Sequence, residues 1–314
     1  MRRHRAAVAI ASALLVLPLA DATARSARSV PASRGAVDVA AAPSTRSDIY
    51  LIDLATGRVT RITRPVDGAS FDGPTWSADG RRLAFSGSIC DDCPLSDARL
   101  YVTNIGSGRI KRIRLRVAPA ARPSWDPRGR WLAFVGGATE WIYRAAPDGS
   151  SLTRLVGGSA HDDVVWSPAG RRIAYTTQQP NGHWDLYVAD DTGGRAQALT
   201  RTAISEEQPA WSPDGSQIAF SRQSSTGAWS LYAMNLDSRH PRRIGPTWRA
   251  SSEDPAWSPD GATLAFVAVT SSSAALYLMN ADGEQVRRLQ TGLHRSYDPA
   301  WSPDGRMLAF VGGP

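Results

Sequence analysis

Eight carboxylates and one arginine stand at corresponding places in a repeating sequence. Ahead of successive tryptophans lie Asp72, then Asp162 with Asp163, Glu206 with Glu207, Glu253 with Asp254, and Asp298; the second copy carries Arg122 instead. Like-signed groups around a low-dielectric opening focus the field, so such a set would attract a cation or a basic peptide. Oxygen ligands drawn from several segments also suit a hard divalent ion such as Ca²⁺. The same residues have a plainer use, because Asp and Glu often cap backbone turns on entering a strand. Spacing alone leaves these uses open.

Covalent chemistry finds little support in the chain. It has no GxSxG elbow, no HExxH pair and no phosphate-binding glycine loop. Beyond the first 24 residues the histidines are His161, His183, His240 and His294, none at a metal-ligand spacing from another. A catalytic site on the acidic ring would need a facing base or cation, and Arg122 with His161 are the candidates. The sequence therefore predicts no catalytic residues and no cofactor other than Ca²⁺ at the ring. Cys90 and Cys93 enclose Asp91 and Asp92. In an exported chain this pair is expected to form a small disulfide, and the two acids argue against a reactive thiolate. So short a loop would stabilise by about 2 kcal/mol at most.

The elements that must position the charged residues are written in the repeat. Trp76, Trp125, Trp166, Trp211, Trp257 and Trp301 are spaced by 49, 41, 45, 46 and 44 residues. Each is followed by a turn tetrapeptide such as Ser212-Pro213-Asp214-Gly215 and then a short apolar strand such as LAF. Ser or Asp at the first turn position, Pro at the second and Gly at the fourth suit a type I turn between antiparallel strands. About twenty residues later comes a second hairpin, as in LYAMNLDSRHPRRI and LYLMNADGEQVRRL. A sixth copy of it, starting at Asp48, precedes the first tryptophan.

A period in the forties built of short strands predicts an all-β, six-bladed β-propeller of four-stranded antiparallel blades over residues 48–314. Its last blade would be completed by the N-terminal strands, which removes an open edge. The segments before each tryptophan lead into the innermost strands, so their charged residues are expected at one mouth of the central channel. Basic residues concentrate in the last strand of each blade, as in Arg58, Arg61 and Arg64, or Arg242 and Arg243. Charge on an outer edge discourages strand-to-strand aggregation, and no nucleic-acid role is expected.

Residues 1–24 read as a secretory signal: Arg2, Arg3 and Arg5, an apolar run from Ala6 to Ala20, and the small-x-small site Ala22-Thr23-Ala24. That run is short for a membrane span. Residues 25–47, rich in Ala, Ser, Arg and Pro, read as a flexible tether. Without the signal the chain carries 33 basic and 28 acidic residues, net +5. These features predict an exported protein of the periplasm, envelope or extracellular space, with no stable membrane span and a monomeric state.

The repeat PAWSPDG, LAF, LYxMNxDG, RRL, seen at Pro255 to Phe266 and Leu276 to Leu289, resembles the WD-type repeat of TolB-like propellers over residues 48–311. The resemblance implies a bacterial envelope propeller that acts through protein contacts, with an envelope or secreted protein, or a basic peptide segment, as partner. TolB carries an α/β domain before its propeller, and the stretch between the signal and the first strand is too short for one. Similar repeats form the propellers of prolyl-oligopeptidase and dipeptidyl-peptidase enzymes, whose hydrolase domain has no counterpart here. A non-enzymatic interaction propeller is the leading expectation. A propeller lyase, lactonase or glycan-directed hydrolase, or a ligand or metal sensor, is the alternative.

Overall fold

The computed structural model describes residues 47–63, 70–88 and 98–313, and every regular element among them is a β-strand. The strands form six antiparallel groups of four, numbered here as blades. Blade 1 comprises Ser70–Trp76, Arg82–Ser88, Arg99–Asn104 and Ile110–Arg112. Blade 2 comprises Ala120–Trp125, Leu132–Gly136, Trp141–Ala145 and Thr153–Val156. Blade 3 comprises His161–Trp166, Arg172–Gln178, Trp184–Asp190 and Gln197–Ala198, and blade 4 Glu206–Trp211, Gln217–Gln223, Trp229–Asn235 and Pro241–Arg243. Blade 5 comprises Ser251–Trp257, Thr263–Val269, Ala274–Asn280 and Arg287–Arg288. Blade 6 joins the two ends of the described chain: Arg295–Trp301 and Met307–Gly313 pair onward to Asp48–Asp53 and Val59–Arg61. The closing register runs from Asp48 opposite Gly312 to Asp53 opposite Met307, which is the expected closure.

The ring follows from the core. The second strand of each blade carries an apolar run that is buried on both faces, centred on Phe85, Phe134, Tyr175, Phe220, Phe266 and Phe310. Each of these rings stacks on a tyrosine of the third strand, Tyr101, Tyr143, Tyr187, Tyr232, Tyr277 and Tyr50, with centroids 5.6–6.0 Å apart. Such pairs add about 0.5–1.5 kcal/mol to the area they bury. One blade cannot cover both faces alone, and each hydrophobic cluster spans two neighbours. Phe71, Trp76, Leu83 and Phe85 of blade 1 pack on Ile49, Leu51, Ala309 and Val311 of blade 6, so the last blade covers the first. The six Trp-ending strands each touch the next around the circle, the sixth touching the first, so they are innermost. The fourth strands lie outermost and exposed, as at Pro241–Arg243 and Arg287–Arg288.

Turn chemistry agrees with the tetrapeptides. Gly80, Gly129, Gly170, Gly215, Gly261 and Gly305 all have φ between 64° and 71°, a region open to glycine at no steric cost. Ser212 Oγ accepts the Gln217 N–H at 2.9 Å and donates to Asp214 Oδ1 at 2.5 Å. Asp126 replaces that serine in blade 2, accepting the Arg130 and Trp131 N–H groups at 2.6 and 3.2 Å.

The expected signal segment, the tether up to residue 46, Arg64, and the Cys90–Cys93 disulfide lie outside the described residues. Ser47, the last tether residue, hydrogen-bonds through Oγ to the Phe71 carbonyl at 2.9 Å. Among the described residues no helix is long and apolar enough to cross a membrane.

Candidate functional site

All six innermost strands break register at one place. The breaks lie between Asp72 and Thr75, Ala121 and Ser124, Asp162 and Val165, Glu207 and Ala210, Glu253 and Ala256, and Tyr297 and Ala300. These are bulges, which insert a residue and re-aim its side chain. The inserted residues are Gly73, Arg122, Asp163, Gln208, Asp254 and Asp298, with φ from 49° to 59°. A proline follows five of them; it lacks an N–H, which is tolerated where the ladder is already broken. Asp tolerates the left-handed region better than most residues, whereas Arg and Gln are held there at a strain of order 1–3 kcal/mol.

The bulges are tied around the ring. Asp163 Oδ2 accepts the Gln208 N–H at 3.2 Å, Gln208 Oε1 accepts the Asp254 N–H at 3.0 Å, and Asp298 Oδ2 accepts the Gly73 N–H at 3.3 Å. Each bond links a bulge side chain to the next blade's backbone. Gly73 has no side chain to continue the series, and the Arg122 N–H is taken by Ser86 Oγ at 3.2 Å instead. Ser86 Oγ in turn donates to Asp72 Oδ1.

Arg122 is the cation of this ring. Its Nε lies 2.7 Å from Asp162 Oδ1 and its Nη1 3.1 Å from Asp163 Oδ1, with a quarter of its side chain exposed. Burial alone would lower its pKa; Asp162, Asp163, Asp72 and Asp254 outweigh that and hold it above the ordinary arginine value. Asp254 is three blades away from Arg122, so the two face a common axis. The bulge positions and those just before them carry seven carboxylates, Asp72, Asp162, Asp163, Glu207, Glu253, Asp254 and Asp298, against one guanidinium.

Glu206 departs from the expected ring. It is 1% exposed, accepts Thr202 Oγ1 at 2.9 and 3.0 Å, and faces Arg222 Nε at 3.2 Å. Burial pushes its carboxyl up to about 7 despite these partners, and among the groups acting on it is Asp185 of the third blade. It belongs to the packing between blades 3 and 4. His161 is also buried, its Nδ1 3.0 Å from Thr177 Oγ1, and desolvation lowers its pKa to about 4. The Ca²⁺ expectation finds no cage: among the described residues no three His, Cys, Asp or Glu side chains converge as a metal site. Asp162 and Asp163 are instead engaged with Arg122, Asp163 and Asp298 with backbone N–H groups of the next blade, and Asp72 with the Ser86 hydroxyl.

Sequence reasoning missed Gln208, whose Oε1 also accepts Ser221 Oγ at 2.6 Å, and Glu140, whose pKa is raised by burial and by Asp162. The position before the repeat's proline would have revealed Gln208 and Gly73. No comparable signal marks Glu140.

The family model described as the TolB beta propeller domain matches residues 33–252. Among solved structures, a protein assigned as TolB from Agrobacterium tumefaciens superposes with a TM-score of 0.71 at 22% identity, covering 86% of this chain and 98% of that one. TolB from Acinetobacter baumannii superposes at 0.64 and 19% identity, covering 82% and 66% respectively. An oligogalacturonate lyase in complex with manganese shares the fold at 0.57 and 13% identity, over 85% and 82%. No curated protein gives a significant match. With the family match spanning more than half its length, and six repeat-built blades behind it, this chain belongs to the TolB β-propeller domain family.

Proposed function

We propose that the protein is an exported, non-enzymatic interaction propeller of the bacterial cell envelope, whose inner ring engages a basic segment of a partner protein. The observation that carries this reading is the ring's treatment of Arg122: two carboxylates hold its guanidinium directly, and five more stand at neighbouring bulge positions. A ring that holds one guanidinium and retains excess negative charge suits a second cationic group. Family membership and the signal-like N-terminal sequence support the envelope setting. The two groups that could serve catalysis are otherwise engaged, since His161 is buried and kept neutral while Arg122 is paired with Asp162 and Asp163.

Calorimetric titration of a Lys/Arg-bearing peptide tests this. Binding is expected to weaken with salt, as screening requires, and to fall about tenfold in an Asp254→Asn, Asp298→Asn double variant that keeps side-chain shape, a loss of about 1.4 kcal/mol. Equal affinity in both proteins would reduce the carboxylates to caps between blades.

A further inference from the structure

The six repeats act as controls for one another at a second place, the hairpin turns. The residue six positions after each repeat tryptophan is Arg82, Trp131, Arg172, Gln217, Thr263 or Met307, and in four of the six it packs toward the next blade's tryptophan. The Arg82 guanidinium lies 4.8 Å from the Trp125 ring and that of Arg172 lies 5.4 Å from Trp211. Trp131 joins the cluster around Trp166, and Met307 the cluster around Trp76. These four covered tryptophans are 6–8% exposed.

Blades 4 and 5 break the pattern. Trp257 and Trp301 are both more exposed than the four covered rings, and the covering positions ahead of them hold Gln217 on blade 4 and Thr263 on blade 5. Between blades 4 and 5 opens a cleft of about 610 Å³ lined by Gln217, Trp257, Asp214, Asp260, Asp282 and Arg242. Among the described residues the arginines stacked on tryptophan lie over Trp125, Trp131, Trp141 and Trp211, so no guanidinium covers Trp257. Three carboxylates against the single Arg242 leave the cleft net negative.

We propose that this cleft is a seat for an arginine side chain of a partner polypeptide, stacked on Trp257 and held by Asp214, Asp260 and Asp282. The chain itself shows the occupant, because where Arg82 and Arg172 stand in the covering position a guanidinium fills the equivalent space. Arginine suits the seat better than lysine, since its planar group stacks on an indole and donates in its plane to carboxylates. Each carboxylate offers lone pairs beyond those its own turn uses. The seat is built from turns rather than bulges and does not depend on the inner ring.

The test follows the Trp257 indole N–H in nitrogen-15 spectra, its resonance identified by its loss in Trp257→Phe. Titration with acetyl-Gly-Arg-Gly-amide should shift that resonance saturably, and the citrulline peptide, of the same shape without charge, should bind at least fivefold more weakly. Gln217→Arg should supply the guanidinium internally and abolish the shift. Asp260→Asn, Asp282→Asn should weaken binding while leaving the seat's shape, which keeps the test open should Gln217→Arg fold poorly. The Asp254→Asn, Asp298→Asn variant should bind as wild type does, which separates this seat from the inner ring. No shift, equal shifts with arginine and citrulline, undiminished binding in Gln217→Arg, or a shift produced instead by a neutral oligosaccharide would each overturn the proposal.

Discussion

The six hairpin turns and the six inner-strand bulges come from the same repeat, yet they treat repetition in opposite ways. At five turns one serine hydroxyl, that of Ser77, Ser167, Ser212, Ser258 or Ser302, accepts the N–H five residues on at 2.9–3.1 Å. Four of those serines donate to the turn aspartate at 2.5–2.6 Å. At the bulges the backbone repeats, with φ held within 10°, while the side chains run Gly, Arg, Asp, Gln, Asp, Asp. Closing a hairpin has one good local solution, so the chain reuses it. The bulge fixes a backbone and leaves its side chain to be chosen blade by blade, and the charge asymmetry of the ring lies in those choices.

The largest expected effect separates the two regions by pH. Turn aspartates are held below their usual range by serine hydroxyls, Asp214 at about 2, so they stay ionised near neutrality. The two large shifts that matter between pH 4 and 7 stand instead at the start of the inner strands. Glu206 moves from 4.5 to about 7; the folded state holds its proton more tightly, so its contribution is fully present below pH 4.5 and is lost as pH rises through 7. His161 moves from 6.5 to about 4; its contribution is present above pH 6.5 and is lost as pH falls through 4. The two oppose each other in the wild type. Glu206→Gln should unmask the histidine, giving a variant that loses roughly 2–3 kcal/mol from pH 7 to pH 4 by denaturant titration. His161→Gln should show the opposite slope.

A smaller effect is expected at the ring's cation. Arg122→Met leaves Asp162 and Asp163 facing each other without their guanidinium, which should cost about 1–3 kcal/mol given the partial exposure. Melting in 1 M salt should recover part of the loss. If salt recovers none of it, packing of the arginine stem rather than charge is what Arg122 contributes.

The smallest effect belongs to a single turn. Ser212→Ala removes one accepted and one donated hydrogen bond and should cost about 1 kcal/mol, lowering Tm by about 2–4 °C. It should leave peptide binding at the inner ring unchanged. A change in that affinity would mean that turns and bulges are coupled rather than independent.

The fold was legible because its determinants are local and repeated six times: tryptophan, turn tetrapeptide, LAF strand, LY strand. The ring was legible only in part. A strand alternates its side chains between faces, and a pair such as Asp162-Asp163 or Glu206-Glu207 leaves open which member turns inward. The bulge breaks that alternation at the decisive residue, so counting along the strand assigns Glu206 to the ring when it is buried between blades. It also passes over Gln208, which carries no charge to draw notice.

Blade 6 carries a mechanical consequence. Asp48 pairs with Gly312 at one end of a six-residue antiparallel register, so the two points where the described chain begins and finishes its propeller are neighbours across one ladder. Tension applied through those points would peel the ladder open one residue pair after another, beginning at Asp48 and Gly312, instead of shearing all its pairs at once. The seam that closes the ring against heat would be the first part to yield to pulling.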